Sequence, residues 1–177
     1  MNAEAAAEAA SLPALAALAA AAPLRRDVLD CAARSGSVAV LEWLYERGCG
    51  CGGATFECAA GSGCEEALEW LVERGCLVPT DGSPYIVACL HRDAATLAAL
   101  RRLGCPWGPP GRVLRWAAAY GCEPRLLRWL LRRGCPAGLE HPGGQRAGRG
   151  GGRSGEAQLR ALLAEAEAQR GEHELWL

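Results

Sequence analysis

Cysteine carries most of the reactive chemistry in this 177-residue chain, which has ten cysteines. Four of them end a recurring Gly-Cys pair: Cys49, Cys76, Cys105 and Cys135. Zinc binds thiolates at about 2.3 Å, so its ligands must converge on one point. These four cysteines lie 27 to 30 residues apart, in matching places of a repeated block, and are therefore expected to be separated in space. We predict no metal site and interpret them as small, buried apolar side chains.

Cysteine spacing also bears on the redox state. No Cys-x-x-Cys pair occurs, and Cys49-Gly50-Cys51 without a neighbouring histidine is only a weak metal or redox signal. The first 22 residues carry Glu4 and Glu8 and lack the basic start of a secretory signal. We therefore predict an intracellular protein, in the cytoplasm or the nucleus, with no membrane insertion and with ten thiols.

Catalysis requires a base, a nucleophile or a metal cluster whose members lie within reach of one another. The chain has three histidines, His91, His141 and His173, and two of these lie beyond residue 138. No glycine motif for phosphate or dinucleotide binding is present, and the Gly-rich run at 148–152 follows no predicted strand. We predict a non-catalytic protein with no catalytic residue, no cofactor and no metal.

A nine-residue block occurs four times in the chain. It reads LEWLYERGC at 41–49, LEWLVERGC at 68–76, LAALRRLGC at 97–105 and LRWLLRRGC at 127–135. Upstream of each copy lies a second block: LDCAARSG at 29–36, FECAAGSG at 56–63, IVACLHRD at 86–93 and LRWAAAYG at 114–121. Apolar residues recur at helical spacing in both blocks, and glycine ends most of them. Each unit is therefore predicted to be two short helices, which are stable only when stacked on further copies.

These units resemble ankyrin repeats. The segment DGSPYIVAC at 81–89 is similar to the Asp-Gly-x-Thr-Pro-Leu-His-x-Ala signature of that family, with Ser83, Pro84 and Tyr85 in the Thr, Pro and Leu places. Gly104-Cys105-Pro106-Trp107 resembles the repeat ending of a divergent subtype known from algae, oomycetes and large DNA viruses. The resemblance implies an all-α solenoid of about four helix-turn-helix units that binds another protein through its concave inner helices and connecting loops.

The chain divides into four predicted parts. These are an Ala-rich N-terminal capping helix at 1–23, ankyrin-like repeats at 24–138, a Gly/Arg-rich flexible linker at 139–155 and a C-terminal helix at 156–177. Within the linker, GRGGGR at 148–153 is similar to the Arg-Gly-Gly boxes of RNA-binding proteins, so RNA binding stays open beside a plain linker.

Charge changes sign along the repeats. Residues 27–76 hold nine acidic and three basic side chains, a net charge of −6, whereas 101–153 hold eleven Arg and two Glu, a net charge of +9. In matching columns, Glu42 and Glu69 become Ala98 and then Arg128, and Glu46 and Glu73 become Arg102 and Arg132. A solvated surface, an acidic partner and head-to-tail self-association each account for this gradient.

Two sets of side chains are assigned roles on this basis. Trp43, Trp70 and Trp129 share one place in their units and are interpreted as packing residues. The predicted partner contacts are Trp107, Arg125, Arg128, Arg132 and Arg133. We expect the partner to be another protein with an acidic surface. The alternative is binding of nucleic acid or another polyanion by the Arg-rich C-terminal half.

Overall fold

The computed structural model describes residues 2–21, 24, 26–138 and 157–164. Every regular element in these ranges is an α-helix and none is a strand, so the all-α prediction is confirmed for this part of the chain. The helices are α1 (Ala3–Glu8), α2 (Leu12–Ala21), α3 (Arg26–Ser35), α4 (Val38–Glu46), α5 (Gly53–Ser62), α6 (Glu65–Glu73), α7 (Ser83–Leu90), α8 (Ala94–Arg102), α9 (Arg112–Ala119), α10 (Pro124–Arg132) and α11 (157–164).

The Gly-Cys pair ends α4, α6, α8 and α10 through one shared geometry. Gly48 is left-handed at φ 83°, and its N–H donates to the Tyr45 carbonyl at 3.0 Å, while the Cys49 N–H donates to the Leu44 carbonyl at 3.2 Å. These bonds satisfy carbonyl groups that a helix end otherwise leaves unpaired. The same two bonds recur at Gly75-Cys76, Gly104-Cys105 and Gly134-Cys135. The Gly-Cys pair of each block therefore ends the second helix of its unit.

The helices form two layers. In the first layer α1, α3, α5, α7 and α9 contact one another in succession, and in the second layer α4 contacts α6 and α6 contacts α8. Each first-layer helix also contacts the helix that follows it in the chain. Pairs of small side chains are buried along the first layer: Ala32 and Ala33, Ala59 and Ala60, Ala88 and Cys89, Ala117 and Ala118. Small side chains at these places let the helix backbones approach closely.

The N-terminal region departs from the predicted single capping helix at 1–23. It contains two helices, α1 and α2, because Ala10 turns the chain at φ 50° between them. Pro13 lies in the first turn of α2, where its missing N–H breaks no helix bond. Ala6, Ala7 and Leu15 are fully buried, and α1 packs on α3 as a further member of the first layer.

The third copy of the upstream block is shifted by one residue from the alignment that placed Ile86 opposite Leu29. Tyr85 is fully buried, as Leu29 and Phe56 are, whereas Ile86 is only half-buried. The shifted register places Arg92 opposite Gly36. Both residues are left-handed, at φ 54° and 72°, so backbone conformation confirms the corrected register.

The recurrent tryptophans pack as predicted. Trp70 is 8% exposed and meets the Tyr45 ring edge-on, with the ring centroids 5.4 Å apart. Trp43 and Trp129 are half-buried and pack against the hydrophobic core. At the matching place of the third unit, Ala99 is fully buried. The shared column is therefore an internal packing position.

Helix α11 lies within the predicted C-terminal helix at 156–177. Its Leu159, Leu162 and Leu163 are at most 4% exposed and belong to the same hydrophobic core cluster as the other helices. This part of the segment therefore packs on the core. The flexible linker predicted at 139–155 and the end of the chain from residue 165 lie outside the described residues.

The loops that connect successive pairs press against each other at glycines. Gly82, Gly108 and Gly111 all have positive φ, between 75° and 82°. An added Cβ at Gly108 would overlap the backbone carbonyl of Asp81, whereas an added Cβ at Gly104, at φ 73°, would meet no atom within 4 Å. Gly104 and Gly108 lie in the same loop and are both left-handed, so they differ in how closely another backbone approaches them.

This difference makes a matched pair of variants informative. Gly104→Ala and Gly108→Ala both carry the cost of left-handed backbone, about 1 to 2 kcal/mol. Gly108→Ala must also displace the backbone of the neighbouring loop, which adds about 1 to 3 kcal/mol. Urea denaturation should therefore show the larger loss for Gly108→Ala. Equal losses would mean that the two loops do not touch at this point.

Candidate interaction surface

The four Gly-Cys cysteines are buried side chains of the core. Their exposed fractions are 1 to 6%. Burial raises the pKa of the Cys105 thiol to about 11 and that of the Cys135 thiol to about 12, which keeps both thiols neutral at physiological pH. A neutral thiol is a poor nucleophile. The interpretation as small, buried apolar side chains is confirmed for Cys49, Cys105 and Cys135, which are free, whereas Cys76 is bonded to a second cysteine.

One pair of cysteines corrects the prediction of ten thiols. Cys51 and Cys76 form a disulfide, with their Cα atoms 5.6 Å apart. Cys51 lies in the connection before α5, and Cys76 follows α6, so the bond joins two successive loops. Thiols were expected because the N-terminus lacks the features of an export signal, and no short motif marks this pair, whose members are 25 residues apart. The other eight cysteines are free.

The disulfide should contribute measurably to stability. A cross-link that closes a loop of about 25 residues removes unfolded-state entropy worth roughly 3.5 kcal/mol. Cys51→Ser, at a half-buried position, should lower the free energy of unfolding by about this amount in oxidising buffer. In excess dithiothreitol the variant and the parent should unfold at nearly the same urea concentration. A difference that persists after reduction would assign the effect to packing.

Ion pairs join neighbouring helices where the charge gradient changes sign. The Arg102 guanidinium on α8 lies 2.9 Å from the Glu65 carboxylate and 2.7 Å from the Glu69 carboxylate, both on α6. Arg74, after α6, pairs with Glu42 on α4 at 3.0 Å. Solvent screens these pairs because they lie largely at the surface, so they add little to the stability of the fold. The acidic columns of the first units therefore have basic neighbours in the next unit.

The last unit has no acidic neighbour of this kind. The positions on α8 that match Glu65 and Glu69 are Ala94 and Ala98. Arg132, which matches Arg102, consequently meets no carboxylate there and forms no ion pair with the described residues. Arg132 is therefore left without the compensation that Arg102 receives from α6.

The four predicted arginine contacts lie together at α10. Arg125, Arg128 and Arg132 are exposed and follow one another at helical spacing along the helix, so they share a face. Arg133 caps the helix and lies 5.5 Å from the centre of the Trp129 ring. The structure thus brings these side chains into one basic strip, the α10 basic face, defined by Arg125, Arg128 and Arg132.

Trp107 lies apart from that face. Its ring packs on Tyr85 with centroids 4.1 Å apart, and the Arg101 guanidinium lies 4.9 Å from its centre. The Tyr85 hydroxyl donates to the Cys105 carbonyl at 2.8 Å, so the cluster anchors the loop after α8. Trp107 is half-buried and has a clear packing role. Its contact with a partner stays a prediction.

The structure also exposes apolar side chains that sequence reasoning did not single out. Leu90 at the end of α7 is 45% exposed, and Tyr120 after α9 is 51% exposed and stacks on Trp116. The corrected register shows the sequence signal that could have identified these two residues. Leu90 and Tyr120 occupy places that hold Arg34 and Ser35 in the first unit. An exposed apolar residue at a position that is polar in another copy indicates a surface that makes contacts in this unit and not in the other.

Comparison with family models, with curated proteins and with solved structures gives no match for this chain. In the described part of the chain, no helix is both long and apolar enough to cross a bilayer.

Proposed function

We propose that this protein is an ankyrin-type solenoid of four helix-turn-helix units, α3 to α10. Three features support the proposal. The first-layer helices contact one another in order, the second helix of every unit ends in the same Gly-Cys geometry, and each unit contributes a pair of buried small residues. The α1–α2 hairpin covers the first unit. A stack of this kind is stabilised by contacts between neighbouring units.

Its function is non-catalytic binding of another protein that presents an acidic surface. The observation that carries this proposal is the α10 basic face, whose neighbouring helix α8 carries alanines where α6 carries Glu65 and Glu69. Helix stability does not require three arginines on one face, since opposite charges four residues apart would support α10 better. Arginine suits such contacts because its planar guanidinium grips carboxylates in pairs and stays charged.

The proposed location is the cytoplasm or the nucleus. Eight cysteines are free thiols, which agrees with a reducing compartment. In such a compartment the Cys51–Cys76 bond would be reduced, and the remaining stability would come from packing of the units.

A second candidate function, binding of nucleic acid or another polyanion, draws on the net charge of +9 over residues 101–153. The two functions differ in their dependence on salt and nucleic acid. Release of counterions from phosphates gives polyanion binding a steep loss of affinity with salt. A protein contact that includes apolar side chains such as Leu90 and Tyr120 loses less.

Affinity capture with the full chain separates these functions. The tagged protein is incubated with cell extract under reducing conditions at moderate salt, with and without nuclease treatment, and bound proteins are identified by mass spectrometry. The proposal predicts a specific protein that is retained after nuclease treatment and that then binds the purified chain directly. Loss of all captured material after nuclease treatment would support the polyanion function, and capture of nothing beyond control beads would contradict both.

A further inference from the structure

A groove separates the second-layer helices α8 and α10. Its volume is about 270 Å³, and its lining residues are Arg92, Ala94, Glu123, Arg125, Leu126 and Trp129. Along the rest of this layer, α4 packs on α6 and α6 on α8, whereas α10 contacts α9 and lies farther from α8. The layer therefore opens between α8 and α10, at its basic end.

Two sequence changes account for the opening. Trp70 packs on the Tyr45 ring of the preceding unit. The third unit carries Arg101 at the place of Tyr45, so α8 offers no such ring to Trp129. The fourth unit also has one extra residue between its left-handed turn and its second helix. Leu127 lies six positions after Gly121, whereas Leu97 lies five positions after Arg92. The groove is thus a consequence of specific departures from the repeat.

Arg92 lies at the rim in an unfavourable backbone conformation. Its φ is 54°, and the matching residues Gly36, Gly63 and Gly121 are glycines. Left-handed backbone is costly for residues with a Cβ, and such strain persists in proteins mainly where a side chain is used. Arginine at this one junction brings an exposed guanidinium to the groove that the other units lack.

The groove combines a basic rim with an apolar floor. Leu126 and Trp129 are half-buried and form the floor, and Ala94 lines the side of α8. Arg92 lies in the turn before α8, whereas Arg125 lies on α10. No residue of α8 is acidic, and the Asp93 carboxylate before it caps the helix by accepting from the Ala95 and Thr96 amides. Glu123 is the one acidic lining residue, so the two arginines outweigh it.

We propose that this groove binds an acidic peptide segment of the protein partner, with a bulky apolar side chain on Leu126 and Trp129 and flanking carboxylates held by Arg92 and Arg125. The inference rests on the proposed function, since it names the part of the partner that the basic end recognises. A peptide fits better than a nucleic acid strand because Glu123 repels a continuous row of phosphates, whereas separate carboxylates can avoid it.

The test uses the full chain and a defined probe, the peptide acetyl-Glu-Glu-Leu-Phe-Glu-Glu-amide, titrated by calorimetry. Two control probes replace either its glutamates by Gln or its Leu-Phe by Ser-Ser, and both should bind at least about tenfold more weakly. A six-residue oligothymidylate serves as the nucleic acid probe. Tighter binding of the oligonucleotide, or no binding of the acidic peptide, would overturn the proposal.

Variants of the chain locate the probe. Arg92→Gly and Arg125→Gln should each weaken peptide binding about fivefold or more, whereas Arg102→Gln, an equal loss of charge on the far side of α8, should leave binding unchanged. Arg92→Gly should also leave the melting temperature equal or raise it, because glycine accepts the left-handed turn. Equal effects of Arg92→Gly and Arg102→Gln would contradict the groove as the site.

The outcomes also separate this inference from the proposed function. If the peptide fails to bind but a captured protein still depends on the α10 basic face, the groove assignment is wrong and the binding function stands. If the peptide binds through Arg92 and Arg125 but no protein is captured, the groove is a real site and the proposed function lacks its partner.

Discussion

Replacing Trp70 by Ala will lower the free energy of unfolding by about 3 to 5 kcal/mol, as truncation of a buried tryptophan does. Trp70 is 8% exposed and fills the space between α6 and the Tyr45 ring of the preceding unit. The indole Nε1 is buried without a hydrogen-bond partner among the described residues, so the variant loses packing and no hydrogen bond there. Urea denaturation followed by circular dichroism measures the loss.

Trp43→Ala is the matched control for this prediction. Trp43 occupies the same column of the first unit but is only half-buried, with the Arg47 guanidinium 3.8 Å from its ring centre. Its removal should cost about 1 to 2 kcal/mol, because less apolar area returns to water. If Trp70→Ala is no more destabilising than Trp43→Ala, the two units do not pack through this column and the stacking of α4 on α6 is misassigned.

Reversing two charges of the α10 basic face, by Arg125→Glu with Arg132→Glu, will weaken binding of the acidic partner at least about a hundredfold at moderate salt. Each reversal replaces an attraction to a carboxylate by a repulsion, and close charge pairs at interfaces are coupled by about 1.5 kcal/mol or more. Both side chains are exposed, so the fold should persist. Titration of the captured, purified partner measures the affinity.

A second double variant controls for net charge. Arg34→Glu with Arg47→Glu changes the charge of the chain by the same amount, but both residues are exposed in the acidic half. Binding should change less than about threefold in this variant, since long-range effects between exposed charges are screened at physiological salt. Equal losses in both double variants would mean that net charge, and not the α10 basic face, attracts the partner.

The helical units could be predicted from the sequence because their signals are local. Gly-Cys places a left-handed residue and a small apolar one at consecutive positions, and the structure uses them to close α4 through Gly48 and Cys49. Trp43 and Trp70 share a column, and both pack against the hydrophobic core. Periodicity thus determines which side chains are buried and where each second helix ends.

Features that depend on how two units differ or touch could not be predicted from the sequence in the same way. Arg92 takes a left-handed conformation that the sequence pattern assigns to glycine, so the register of the third unit differs by one residue from the predicted one. The Cys51–Cys76 bond joins two loops whose proximity follows only from stacking. The groove beside Trp129 arises from a substitution in one unit and an insertion in the next. Each of these features is a contact or a difference between copies, whereas a repeat pattern shows only what the copies share.

Hydrogen exchange on the full chain, free and bound to the purified partner, maps the contact along the backbone. We expect new protection at α8 to α10, around the α10 basic face and the loop between α9 and α10, with little change in α3 to α6. Protection confined to the acidic units α3 to α6, with α10 unchanged, would contradict the claim that the basic end of the stack binds the partner.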